Sequence, residues 1–165
     1  MQAAHQDSLA GAWPCVSVPP HHRNPAVSTF VLGERPFVIQ SAVLDLTGRH
    51  ATLDIQTEGQ MVGAEVWAPY LYHHGLALPV NDPAALAGQT VVLAPSGHPD
   101  CPHPDAGYLY VQGHEELAAA ELVLGAFDGQ AFEARVHGLA AVDGQGELDG
   151  LVPFVCTCRM SVWMG

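Results

Sequence analysis

The sequence of 165 residues contains no lysine and only five arginines, against seventeen aspartates and glutamates. Its formal net charge at pH 7 is −12, and the arginines stand singly along the chain. Binding to nucleic acid requires clustered basic groups that displace counterions from phosphates, and attraction to an anionic membrane surface requires the same. The composition therefore predicts a protein that binds neither nucleic acid nor a membrane surface.

Long apolar runs are also missing, because no stretch reaches the roughly 18 residues that a membrane-spanning helix needs. The N-terminus has no basic residue before Arg23, whereas a secretory signal begins with one and continues as an apolar stretch. We therefore expect a cytoplasmic protein. Its cysteines would stay reduced there, and Cys156 and Cys158 are interpreted as buried thiols.

Charged residues make up only 13% of the chain and apolar residues 48%. A chain of this length and composition folds as one ordinary domain with a core of its own. Residues 1–26 are polar and proline-marked and are predicted to form an irregular N-terminal arm, followed by a single domain over 27–165. So few charges leave apolar patches on the surface, which favours association into a homo-oligomer.

Short alternating segments dominate the rest of the sequence. Ala51, Leu53 and Ile55 alternate with polar residues within 49–56, and residues 152–162 place their apolar side chains on one face in the same way. Such alternation predicts half-buried strands. Asp128-Gly129 between two alternating segments predicts a hairpin.

Helix signals are few. The segment NDPAALAG (81–88) carries a cap, an early proline and a terminating glycine, which predicts a short helix over 82–87. Residues 115–121 have high helix propensity but adjoin a strand pattern, so helix and strand both stay open there. We predict an all-β fold, a two-sheet antiparallel sandwich or jelly roll of about eight strands with one or two short helices.

The segment SGHPDCPHPDAG (96–107) brings together His98, Cys101 and His103, residue types that bind zinc. Their spacing matches no standard zinc motif, and ten histidines in the chain make chance clusters common. An exposed, proline-stiffened loop between two strands is therefore the favoured interpretation, and a zinc site is the alternative. The histidine pairs at 21–22 and 73–74 are also assigned to exposed loops.

Aromatic residues concentrate in two segments, WAPYLYHH and GYLYVQG, which contain Trp67, Tyr70, Tyr72, Tyr108 and Tyr110. Both tyrosines of each Tyr-Leu-Tyr point to the same side of a strand. If the two strands are neighbours, the rings form an aromatic platform of the kind that binds sugars or a partner protein. An ordinary core layer is the other interpretation of the same pattern.

Two functions follow from these features. The first is a non-catalytic binding or protein-interaction module with a protein or carbohydrate ligand at the aromatic platform. The alternative is a zinc-dependent hydrolytic enzyme that uses the His98, Cys101 and His103 loop, with an open coordination position for water. No motif in the sequence identifies a reaction.

Overall fold

The computed structural model describes residues 28–47, 50–93, 107–145 and 148–165. These residues form eleven strands and one short helix. The bounds of the strands, in chain order, are β1 Thr29–Leu32, β2 Arg35–Asp45, β3 Ala51–Thr57, β4 Gln60–Val62, β5 Glu65–Trp67, β6 Tyr70–Leu76, β7 Thr90–Leu93, β8 Gly107–Tyr110, β9 His114–Phe127, β10 Ala131–Gln145 and β11 Leu148–Trp163. The helix α1, Pro83–Leu86, precedes β7.

Eight of these strands close into a barrel, in the order β9, β10, β11, β1, β2, β3, β6, β8 and back to β9. Neighbouring strands around the ring are antiparallel, and beyond Thr29, the first residue of β1, β11 pairs directly with β2 in parallel. The all-β prediction is confirmed, but the prediction of a two-sheet sandwich or jelly roll is wrong. A sandwich and a barrel both bury alternate residues of each strand, so the pattern that predicted the strands could not separate them.

The core fills the inside of the barrel. Phe30, Phe37, Phe132 and Phe154 are almost wholly buried, and Phe30 stacks on Phe154 with ring centroids 5.9 Å apart. The alternation predicted for β3 and β11 is present, with every second side chain turned into this core. The face opposite the core is consequently the outer surface of the wall, and the candidate site lies on it.

Helix α1 confirms the prediction over 82–87, with Asp82 as its N-cap and Pro83 at its first position. The hairpin at Asp128-Gly129 is confirmed as the turn between β9 and β10. Residues 115–121, for which helix and strand both stayed open, are strand and belong to β9. Strand β9 pairs with β8 and β7 on one side and with β10 on the other. This pairing outweighs the intrinsic helix propensity of residues 115–121.

Strands β7 and β8 run in the same direction along one edge of β9. Leu93 at the end of β7 pairs with Ala120, and Tyr108 near the start of β8 pairs with Glu116. The two strands predicted on either side of the 96–107 loop are therefore present. The loop itself lies outside the described residues as far as residue 106, and so do the predicted N-terminal arm and the first residue of the domain, residue 27.

Strands β4 and β5 form a small separate hairpin, which β6 follows after Pro69. Within the described part of the chain, no helix has the length and apolar composition needed to cross a membrane.

Candidate functional site

The two Tyr-Leu-Tyr segments lie side by side in the barrel wall, as β6 and β8. They pair antiparallel, with Tyr70 opposite Tyr110 and Tyr72 opposite Tyr108. The leucine in each segment is turned into the core, so all four tyrosines project from the outer surface. An aromatic platform was expected only if these two strands are neighbours, and they are.

The pairing extends the tyrosine pairs into two rows that cross four strands, β3, β6, β8 and β9. Together the eight side chains of these rows are called the tyrosine face. The first row is Asp54, Tyr72, Tyr108 and Glu116, and the second is Gln56, Tyr70, Tyr110 and His114. A block of four tyrosines is thus flanked by polar side chains on both sides.

The rings of this block contact one another rather than standing apart. The centroids of Tyr72 and Tyr108 are 5.4 Å apart, and Tyr70 meets Tyr108 edge to face at 6.2 Å. His114 continues the contacts, at 4.7 Å from Tyr108 and 5.6 Å from Tyr110. These separations lie in the range of favourable aromatic pairs, so the rings hold each other in defined orientations.

Asp54 is held at one end of its row by two hydrogen bonds. The Tyr70 hydroxyl donates to Oδ2 at 2.8 Å, and Gln56 Nε2 donates to Oδ1 at 3.1 Å. Burial, together with the hydrogen bond to Asp54 and its negative charge, raises the pKa of Tyr70 above its ordinary range. Tyr70 therefore stays a hydrogen-bond donor at neutral pH, and it fixes the direction of the Asp54 carboxylate.

His74 adds a further ring beside the tyrosine face. It stacks on Tyr72 with an interplanar angle of 6°. Its Nδ1 lies 3.1 Å from the Thr52 hydroxyl and 3.4 Å from the Tyr72 hydroxyl. The polar border of the tyrosines therefore continues along β3 and β6.

The structure does not bring Trp67 onto the tyrosine face. Trp67 is only 4% exposed and belongs to the core cluster. Its indole Nε1 donates to Glu65 at 3.5 Å. Of the five residues predicted as a binding platform, four tyrosines lie together and the tryptophan packs inside.

The assignment of His73 and His74 to an exposed loop is wrong. Both belong to β6, where His74 points outward and His73 is 2% exposed on the inner side. A Cβ added at Gly107 would lie 2.6 Å from the His73 ring, so the imidazole occupies the space that the glycine leaves in the neighbouring strand. The alternation in YLYHHGL carries this signal, because it continues the Tyr-Leu-Tyr pattern through both histidines.

The proposed zinc ligands His98, Cys101 and His103 lie outside the described residues. Within the described ranges, no three His, Cys, Asp or Glu side chains gather closely enough to hold a metal ion. The zinc site thus stays a prediction from the sequence.

The two cysteines of β11 are free thiols turned into the core, as the sequence predicted. A hydrogen bond with Cys158 and burial raise the pKa of the Cys156 thiol. Both cysteines are therefore structural core residues.

Comparisons of the chain with protein-family models, with curated proteins and with solved structures gave no match.

Proposed function

We propose that this protein is a non-catalytic binding module that engages a partner through the tyrosine face. One observation carries the proposal, namely the block of four outward tyrosines in mutual contact on adjacent strands. Tyrosine is enriched at protein interfaces because its ring supplies apolar contact while its hydroxyl remains hydrogen-bonded. Tyr110 at the edge of the block is 41% exposed, which leaves ring surface for a partner to cover.

Order within the face supports the same function. A side chain that must be immobilised on binding costs about 0.5–1.5 kcal/mol in lost freedom. The ring contacts of Tyr72 and Tyr108, and the hydrogen bond of Tyr70 to Asp54, already restrict these side chains in the unbound protein. Cross-strand aromatic pairs also stabilise a sheet by themselves, so the test must separate binding from stability.

The test is a nuclear magnetic resonance titration of the isotope-labelled protein with oligosaccharides and with basic, acidic and neutral peptides. We expect at least one of these probes to shift the amide resonances of β6 and β8. The double variant Tyr72→Leu/Tyr108→Leu keeps the apolar bulk of both side chains and removes the rings, and it should lose that response. Its own spectrum and melting temperature report whether the barrel is intact.

Two outcomes would overturn the proposal. One is that every bound probe shifts resonances elsewhere in the barrel. The other is that no probe perturbs β6 or β8 in the intact protein and that the protein does not self-associate through this face. Sedimentation of the free protein over a range of concentrations shows whether a second copy of the chain is itself the partner, since self-association through this face would be abolished by the same double variant.

A further inference from the structure

The first row of the tyrosine face ends in a carboxylate on each side. Asp54 pairs with Tyr72, Tyr72 with Tyr108, and Tyr108 with Glu116. Because neighbouring strands lie about 4.8 Å apart, the three steps from β3 to β9 separate the two ends by about 14 Å. Two aromatic rings thus stand between two negative charges along one line.

Within the described residues, the four strands of this row, β3, β6, β8 and β9, supply no arginine or lysine to balance its carboxylates. The whole chain has a formal net charge of −12. The face of a tyrosine ring attracts a cation that is placed over it. The rings and the carboxylates of the row therefore both favour a cationic group, and the negative net charge of the protein attracts cations toward it.

The shape of the surface indicates the size of the ligand. Small molecules bind in concave sites that enclose most of their surface, whereas this row crosses the outside of a barrel wall. A peptide segment laid across the strands can cover a length of about 14 Å, which a single small cation cannot. An extended peptide places residues i and i+4 on the same side, about 13–14 Å apart.

We infer that the tyrosine face docks an extended segment of a partner protein in which two arginines stand four residues apart. One guanidinium pairs with Asp54 beside Tyr72, and the other pairs with Glu116 beside Tyr108. Arginine is favoured over lysine because its planar group stacks on aromatic rings and binds a carboxylate through two hydrogen bonds. This inference rests on the proposed function and specifies its partner.

The first experiment compares three labelled peptides of equal length and equal charge by fluorescence anisotropy at low ionic strength. Their motifs are Arg-x-x-x-Arg, Arg-x-Arg and Lys-x-x-x-Lys, with serine and threonine elsewhere. We expect the first to bind most tightly. The other two should each bind about five-fold more weakly, the effect of losing one exposed ion pair or ring–cation contact.

The second experiment changes the face one group at a time. Asp54→Asn and Glu116→Gln remove a charge at nearly constant shape, and each should weaken binding of the Arg-x-x-x-Arg peptide about five-fold. The matched control Glu34→Gln, an exposed carboxylate in the turn between β1 and β2, should leave binding unchanged. Tyr72→Phe should retain binding, whereas Tyr72→Leu should weaken it, because only the former keeps the aromatic ring.

The outcomes separate this inference from the function on which it rests. Equal affinity for the three peptides, or insensitivity to both carboxylate variants, overturns the arginine inference. Ring-dependent binding of a sugar or a neutral peptide, without binding of the arginine peptide, refutes the inference and supports the binding module. Failure of every probe to bind in a ring-dependent way, together with no self-association through the face, refutes both.

Discussion

The variant Gly138→Ala adds a methyl group where the backbones of β9 and β10 lie close together in the barrel wall, and it tests that close approach. Gly138 lies in β10 opposite Ala120 of β9. A Cβ there would lie 2.2 Å from the carbonyl oxygen of Ala119 and 2.7 Å from the Ala120 Cβ, whereas ordinary contacts begin near 3.4 Å. The obstructing atoms belong to the backbone of β9 and its short side chain, so no flexible side chain can yield instead.

The local pairing explains why the strands come so close. Leu139 pairs with Ala119, but Ala140 pairs with Leu117, which leaves Ala118 as an extra residue in β9. Such a bulge bends its strand and shifts which residues face inward. Indeed Glu115 and Leu117 are buried before the bulge, and Ala120 and Leu122 after it.

Relief of the contact in Gly138→Ala requires β9 to move back by about 1 Å, which strains the hydrogen bonds of the β9–β10 pairing. Overpacking of a tightly packed site costs about 1–3 kcal/mol. We expect a loss near the upper end, about 3 kcal/mol, because the clash involves backbone. That is a large part of the roughly 5–15 kcal/mol that stabilises a typical domain.

Urea unfolding followed by circular dichroism and tryptophan fluorescence measures this loss. Gly113→Ala is the matched control, since its Cβ would lie 3.4 Å from a Glu115 carboxylate oxygen, an ordinary contact, and we expect it to change the free energy of unfolding by less than about 1 kcal/mol. The unfolding midpoint of Gly138→Ala should fall without a change in slope. If the two variants unfold at the same urea concentration, the close approach at the bulge is refuted.

Four further features carry expected outcomes. A hydrogen bond from Arg159 and two from backbone amides lower the pKa of Asp128 from 3.8 to about 2. Its stabilising contribution is complete above about pH 4 and is lost as the pH falls through about 2, so the melting temperatures of wild type and Asp128→Asn should differ at neutral pH and converge in that window. Cys156 and Cys158 are buried and should resist alkylation in the native protein but react after unfolding, as peptide mass spectrometry would show. Elemental analysis should find no stoichiometric zinc in wild type or in Cys101→Ser; one equivalent that is lost in the variant would instead establish the zinc site. Gel shifts should show no salt-sensitive binding to DNA, since the net charge is −12.

Sequence patterns predicted the local structure best where alternation was regular. In β11, the side chains of Phe154, Cys156 and Met160 point inward as the pattern required. The pattern failed to decide at residues 115–121, because the bulge at Ala118 interrupts the alternation within β9. Closure of the wall into a barrel was not predictable, since it depends on which strands pair and each strand presents the same alternation in a sandwich.

The sequence predicted the tyrosines of the candidate site but not how the carboxylates are arranged around them. Tyr70 and Tyr72 are two residues apart, so their shared side of the strand followed from the strand assignment alone. Asp54 was correctly placed on the outward side of β3, opposite Ile55, but nothing local connects it with Glu116. Their positions at opposite ends of one row arise from long-range pairing.

The register of that row follows from the core beneath it. Leu71 opposes Leu109 on the inner side, and Leu109 opposes Glu115 in β9. A slip of one residue between β6 and β8 would turn the tyrosines inward and expose the leucines. The buried Leu71–Leu109 pair therefore fixes the tyrosine pairs of β6 and β8, and the pairing of β8 with β9 extends their row to Glu116. A partner that contacts both carboxylates recognises the order of four strands, which neither Tyr-Leu-Tyr segment can present alone.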